Sequence, residues 1–256
     1  MQWFEGIILG LIQGVTEFLP ISSSGHVWLA EHLLFRQPVD MSFIVFMHLA
    51  SLLAVLIFLR KELIHLVQSF YRVPHDYFFN RTLALQLIWA TLITTLCGLL
   101  LKDFVSHQMN QTILLISLFC TSAMVIISSL GRVRLEECSW IMMSSLGLIQ
   151  GLAALPGISR SGVTVGLLLL WGLPKKKAVD ISFLLSIPVI MGSVLLFLPE
   201  LNATTINTPV HTIVLSFVAA FMATYAVIRL LRKSLEKIWI FCGIWCFILA
   251  AGLMLY

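Results

Sequence analysis

Apolar residues run through this chain in blocks too long for the core of a soluble domain. Six blocks, 41–59, 82–101, 111–130, 178–198, 210–228 and 238–255, each hold close to twenty predominantly apolar residues, the length an α-helix needs to cross a bilayer. Two further apolar stretches break the pattern. Residues 4–19 stop at Pro20 and a serine run, then resume as a short helical piece ending near Phe35. Residues 140–155 stop at Pro156-Gly157 and a second serine run, then resume as a piece ending near Gly172. A helix that ends at proline inside a membrane leaves amides and carbonyls that only protein or a water-filled cavity can satisfy. The pattern therefore predicts an all-α polytopic membrane protein of six transmembrane helices plus two re-entrant helix–loop–helix hairpins.

The two interruptions are copies of one another. Leu9–His26 reads LGLIQGVTEFLPISSSGH and Leu146–Val163 reads LGLIQGLAALPGISRSGV, with ten of eighteen positions identical at a constant offset of 137 residues. Three predicted spans separate Ser22 from Ser159, an odd number, so the copies have opposite orientations. The chain is expected to form a single integral-membrane domain with an inverted-topology repeat, the first half about 4–130 and the second about 140–255. DMSF at Asp40–Phe43 against DISF at Asp180–Phe183 is a second trace of the repeat. Inverted repeats with broken helices place their sites near the midplane.

Composition agrees with the pattern. Of 256 residues, 59% are hydrophobic and 11% charged, with a mean hydropathy of +1.00, whereas soluble domains are roughly 25% charged. Five cysteines match neither a zinc pattern nor a disulfide framework. The N-terminus lacks a basic region and a cleavage pattern, so no signal peptide is expected. The net charge of +4 is small and points to no nucleic-acid partner; its placement says more. Thirteen basic residues, Arg60, Lys61, Arg72, Arg81, Arg132, Arg134, Lys175, Lys176, Lys177, Arg229, Arg232, Lys233 and Lys237, fall on one side, against Arg36 and Lys102 on the other. The positive-inside rule then puts both termini outside the cytoplasm. The first hairpin enters from the outer face and the second from the cytoplasmic face.

Three substitutions give the copies different chemistry: Glu17 becomes Ala154, Ser23 becomes Arg160 and His26 becomes Val163. In the first arm Gly6, Gly10 and Gly14 recur every four residues, the small-residue pattern of close helix contact, and Gln13 and Glu17 lie on or beside that face. A carboxylate buried in the bilayer is costly and is read as functional. The following loop, Ser22-Ser23-Ser24-Gly25-His26, supplies hydroxyls and closely spaced amides ahead of a helix N-terminus, which favours an anion. The second loop, Ser159-Arg160-Ser161-Gly162-Val163-Thr164, adds a guanidinium suited to phosphate oxygens. A base-capable carboxylate, hydroxyl nucleophiles, a histidine and a phosphate-seeking arginine suit phosphoryl transfer from a lipid-borne phosphate ester or anhydride. The plainer alternative is a structural Arg160–Glu17 ion pair.

At these residues the sequence resembles a known family. QGVTEFLPISSSGH resembles the (E/Q)xxxE motif with its serine–glycine–histidine loop, and PGISRSGVT, Pro156–Thr164, resembles PGxSRSxxT. Both belong to the undecaprenyl-diphosphatases, the bacitracin-resistance phosphatases of bacterial inner membranes. The resemblance implies hydrolysis of undecaprenyl diphosphate to undecaprenyl phosphate and inorganic phosphate, recycling the carrier lipid of cell-wall synthesis. It implies a multi-pass inner-membrane protein with an outward-facing site, a polyprenyl diphosphate as partner and a divalent cation, magnesium or calcium. It assigns Ser23 as nucleophile and Glu17 as the carboxylate that activates it or holds the metal. His26 becomes the essential loop histidine and Arg160 the diphosphate-binding arginine. Gln13, Ser22, Ser24, Gly25, Ser159, Ser161, Gly162 and Thr164 line the substrate site, and Gln13 stands beside Glu17 as a metal-ligand candidate. Either Ser23 or His26 serves as nucleophile on this reading. A flippase for the polyprenyl phosphate is the rival class, since inverted repeats with broken helices are also a transporter signature.

Overall fold

The computed structural model describes residues 2–35, 39, 41–71, 78–107, 110–135, 137–197 and 208–254. Asp40, Arg36 and Arg72, and the side chain of Lys102, lie outside the described residues. The elements are α1 (Trp3–Thr16), α2 (Ser23–Leu29) continuing as a π-helical segment (Ala30–Phe35), α3 (Met41–Phe58), α4 (Arg60–Gln68), α5 (Arg81–His107), α6 (Gln111–Ser128), α7 (Trp140–Leu152), α8 (Arg160–Trp171), α9 (Lys175–Phe197) and α10 (Val210–Leu253). All regular structure among the described residues is helical.

The two hairpins are where the serine runs predicted them. At 1.5 Å per residue α1, α7 and α8 are each roughly 20 Å long, short of a hydrocarbon core of about 30 Å. Four helices, α5, α6, α9 and α10, are long and apolar enough to cross, and α3 joins them when read together with α4, from which it bends by 65°. The structure corrects two details of the expected spans. Residues 60–68, expected as loop, form α4. The connector expected between 228 and 238 is helical as well, because Arg229–Lys237 holds neither glycine nor proline and consists mostly of good helix formers.

Helix α10 nevertheless makes two crossings. Its 44 residues would reach about 66 Å if straight, and they break at Ser234, whose φ of −131° and ψ of 24° are not helical. Ala220 packs on Gly14 and Cys246 Sγ lies 3.6 Å from Pro20 O. A straight helix would separate Ala220 from Cys246 by about 39 Å, whereas Gly14 to Pro20 stretches at most about 21 Å. The helix therefore bends sharply at Ser234, and counting its two arms separately gives six candidate crossings among the described residues. Beside this elbow Arg232 Nη2 donates to Glu62 Oε1 at 2.6 Å and to Asp180 Oδ2 at 3.1 Å, tying α4 and α9 to α10.

The repeats interlock. Gly10 and Gly14 of α1 lie against the carbonyls of Ser216 and Ala220 in the first half of α10, and Gly147 and Gly151 of α7 lie against Ala90 and Cys97 of α5. Each hairpin thus leans on a span from the other half of the chain. Helix α3 packs on α9 and α6 on α10, the latter contact carried by Ser122 Oγ donating to Gly243 O at 2.8 Å and by Trp239 Nε1 donating to Val125 O at 2.9 Å. A Cβ at Gly10 or Gly147 would collide with backbone, while one at Gly98 or Gly192 meets open space. Gly10→Ala and Gly147→Ala should therefore each destabilise the protein by about 1–3 kcal/mol, read as a lowered Tm in detergent, with Gly98→Ala and Gly192→Ala unchanged as controls.

Candidate active site

Both hairpin loops are built to aim hydroxyls and amides inward. Helix α1 ends where Glu17, still in helical geometry, donates its amide to Gln13 O at 2.9 Å. After Pro20 the chain passes through Ser22, whose φ of +68° is in the left-handed region; such a conformation at a non-glycine residue costs of order 1–3 kcal/mol and is held only by its surroundings. Ser22 caps α2 by accepting Gly25 N at 3.3 Å. Its counterpart Ser159 caps α8 by accepting Gly162 N at 3.1 Å, and there the positive φ falls on Gly157, at +90°.

Glu17 is the hub. Its Oε1 accepts from Arg160 Nη2 at 2.9 Å. Its Oε2 accepts from Gln13 Nε2 and from Ser23 Oγ, both at 2.8 Å. His48 Nε2 stands 3.7 Å from the same oxygen. The arginine is fixed over the Phe18 ring, 5.3 Å from its centroid, and its Nη1 is buried without a hydrogen-bond partner. An unpaired buried guanidinium nitrogen is costly, and an anionic oxygen would satisfy it. A carboxylate in contact with a serine hydroxyl on one side and an arginine with a spare donor on the other can deprotonate the serine and hold an anion.

The remaining predicted residues divide by the use of their polar atoms. Ser24 Oγ accepts from Gly157 N at 3.1 Å and so ties the first loop to the second. Ser161 Oγ donates to Leu19 O at 3.0 Å, and Ser159 N donates to Thr121 Oγ1 at 3.0 Å. Thr164 Oγ1 donates to Arg160 O at 2.8 Å and lies 2.7 Å from Ser182 Oγ. Gly25 and Gly162 sit in close packing, against Leu114 and beside Pro20 respectively. The hydroxyls of Ser159, Ser161 and Thr164 therefore hold the loops in place. His26 is turned away from the hub. Its Nδ1 lies 2.8 Å from Ser22 O, an acceptor, so it carries the proton there, and its Nε2 accepts from Trp245 Nε1 at 2.9 Å.

His48 and Trp245 escaped the sequence reading. His48 carried a usable signal, an ionisable residue in the middle of an apolar span; Trp245 is one aromatic among many on a lipid-exposed helix. Among the described residues no group of three or more His, Cys, Asp or Glu side chains could hold a metal ion. Glu17, Gln13 and Ser23 together offer hard oxygen donors with a single carboxylate. Oxygen donors of this kind are the ones magnesium and calcium prefer, but here Gln13 Nε2 and Ser23 Oγ both donate to Glu17 Oε2.

Removing one member of a buried ion pair strands the other and costs about 3–5 kcal/mol, whereas removing both costs less. Glu17→Gln and Arg160→Gln should each lower Tm in detergent, and the double variant should lose less than the sum of the two.

The chain matches the family described as Bacitracin resistance protein BacA over residues 6–252. It is 37% identical over 270 residues to undecaprenyl-diphosphatase 1 of Shouchella clausii, covering 98% of this chain and 95% of that one. It is 33% identical to an undecaprenyl-diphosphatase of Methanococcus vannielii, covering 98% and 99%, and 35% identical to undecaprenyl-diphosphatase 2 of Halalkalibacterium halodurans, covering 100% and 96%. With both motifs assembled around one carboxylate and the match running nearly end to end, the chain belongs to the bacitracin resistance protein BacA family.

Proposed function

We propose that this membrane protein hydrolyses undecaprenyl diphosphate to undecaprenyl phosphate and inorganic phosphate, returning the cell-wall carrier lipid to use and so conferring bacitracin resistance. The observation that carries the reading is the Ser23 hydroxyl donated to a buried carboxylate, itself paired to an arginine with a free buried donor. Arg160 binds the diphosphate through Nη1. Glu17 Oε2 takes the Ser23 proton as Ser23 Oγ bonds to the terminal phosphorus. The bridging P–O bond breaks, and the lipid monophosphate leaves with its electrons and takes up the proton. Water then cleaves the phosphoserine, with Glu17 accepting a proton from water and returning it to Ser23 Oγ. Low-dielectric surroundings strengthen each of these charge contacts.

Of the two nucleophiles open in the sequence, this geometry favours Ser23, since both ring nitrogens of His26 are engaged by Ser22 and Trp245. A divalent cation, magnesium or calcium, would be held by Glu17, with Gln13 and Ser23 beside it, and would neutralise charge on the diphosphate. We further place the site toward the outside of the bacterial inner membrane with both termini on that side. The basic connectors support this, since Lys175 pairs with Glu236 at 2.8 Å and Arg232 with Glu62 and Asp180, gathering several of them at one end of the molecule. Transport of the lipid is the weaker reading, because a carrier has no need of a carboxylate and serine in one hairpin that are Ala154 and Arg160 in the other.

The test is phosphate release by the purified protein from undecaprenyl diphosphate. Release is expected, to be lost with chelator and restored by magnesium or calcium, and Glu17→Gln should lower kcat by about 10²–10⁴-fold. No release in any condition would sink the phosphatase reading.

A further inference from the structure

The diphosphate accounts for the polar side of the site and leaves the long apolar tail of the substrate without a seat. An apolar groove of about 440 Å³ lies along the second half of α10, lined by Ile21, Phe241, Cys242, Ile244, Trp245 and Ile248. One wall is Ile21, which directly precedes the strained Ser22 and the reactive Ser23 in the chain. Trp245 lines it as well; its indole donates to His26 and lies nearly parallel to its ring, 19° between planes. The groove opens to the side, where Phe241, Trp245 and Ile248 are exposed on the lipid-facing surface. A lipid whose phosphates sit at Arg160 and Ser23 therefore has nearby a shallow apolar groove bordered by the residue that precedes Ser22 in the chain.

Size and apolarity alone do not single this groove out. A second apolar groove, about 400 Å³, lies between α4, α5 and α9 and is lined among others by Leu66, Tyr71, Leu92 and Pro188. No lining residue of that groove belongs to either reactive loop, so an ordinary acyl chain suffices to cover it. Adjacency to Ser23 and His26 decides between the two.

Resting on the phosphatase reading above, we propose that the groove between Ile21 and Trp245 seats the first isoprene units of the polyprenyl diphosphate. Contacts of this kind are shared by ground and transition states, so their loss is read in KM more than in kcat. Two measurements on the full-length protein test it. In the first, Ile248→Trp, which fills the groove, is assayed on undecaprenyl diphosphate and on methyl diphosphate, which carries no isoprene unit, with Leu92→Trp in the second groove as control. The expected result is a KM raised about tenfold or more for the long substrate alone, with kcat kept. An unchanged ratio between the two substrates, or an equal loss on both, overturns the assignment. In the second, a polyprenyl phosphate bearing a photoreactive group on its first isoprene units is crosslinked and the labelled peptide mapped. Label within residues 241–248 supports the seat, and label confined elsewhere overturns it whatever the turnover. Label at 241–248 with no phosphate release from the wild type would keep the seat and discard the phosphatase reading.

Discussion

A carboxylate buried among apolar helices is affordable only if a cation reaches it, and in this chain the cation lies 143 residues away. Arg160 meets Glu17 at 2.9 Å, from the start of α8 at the tip of the second hairpin. Much of the surrounding architecture serves to keep that meeting in register. The glycine seams draw each hairpin against a span of the other repeat. Ser24 binds Gly157 N and Ser161 binds Leu19 O, so the loops are joined to one another directly. Phe18 backs the guanidinium and Gln13 steadies the carboxylate. The same contact divides the chemistry, since one carboxylate oxygen is committed to the arginine and the other to the serine that would attack.

Duplication with inversion explains how such a site arises from a repeated device. Both copies keep the short arm, the capping serine and the following short helix, so both deliver a loop to the middle of the molecule. Only one keeps the carboxylate and only the other carries the arginine. Arg160, standing where the first copy has Ser23, supplies the cation that Glu17 meets, and its second terminal nitrogen is left for an anion.

Much of this was legible before any coordinates, and the exceptions have physical reasons. The hairpins could be read because proline and serine interrupt an apolar run at a place where water cannot repair the backbone. The Glu17–Arg160 pairing followed from the cost of leaving either charge alone. Two crossings were expected on either side of Arg229–Lys237, but the helical course of that connector was not, because a count of apolar length passes over its good helix formers. Hydroxyl roles were also out of reach: Ser23 and Ser161 look alike in sequence, yet one faces the carboxylate and the other a backbone carbonyl. His26 was placed at the reacting centre by its neighbours in the chain, but its ring is turned by Ser22 O and by Trp245, a residue 219 positions away.

The account rests on Ser23 being the group that Glu17 deprotonates within a site completed by Arg160. The most direct measurement is turnover of undecaprenyl diphosphate by Ser23→Ala beside His26→Ala, with Tm in detergent confirming that each is folded. The account predicts near-complete loss of phosphate release in Ser23→Ala, about 10³-fold or more, and a smaller loss in His26→Ala. Wild-type turnover in Ser23→Ala together with abolished turnover in His26→Ala would contradict it.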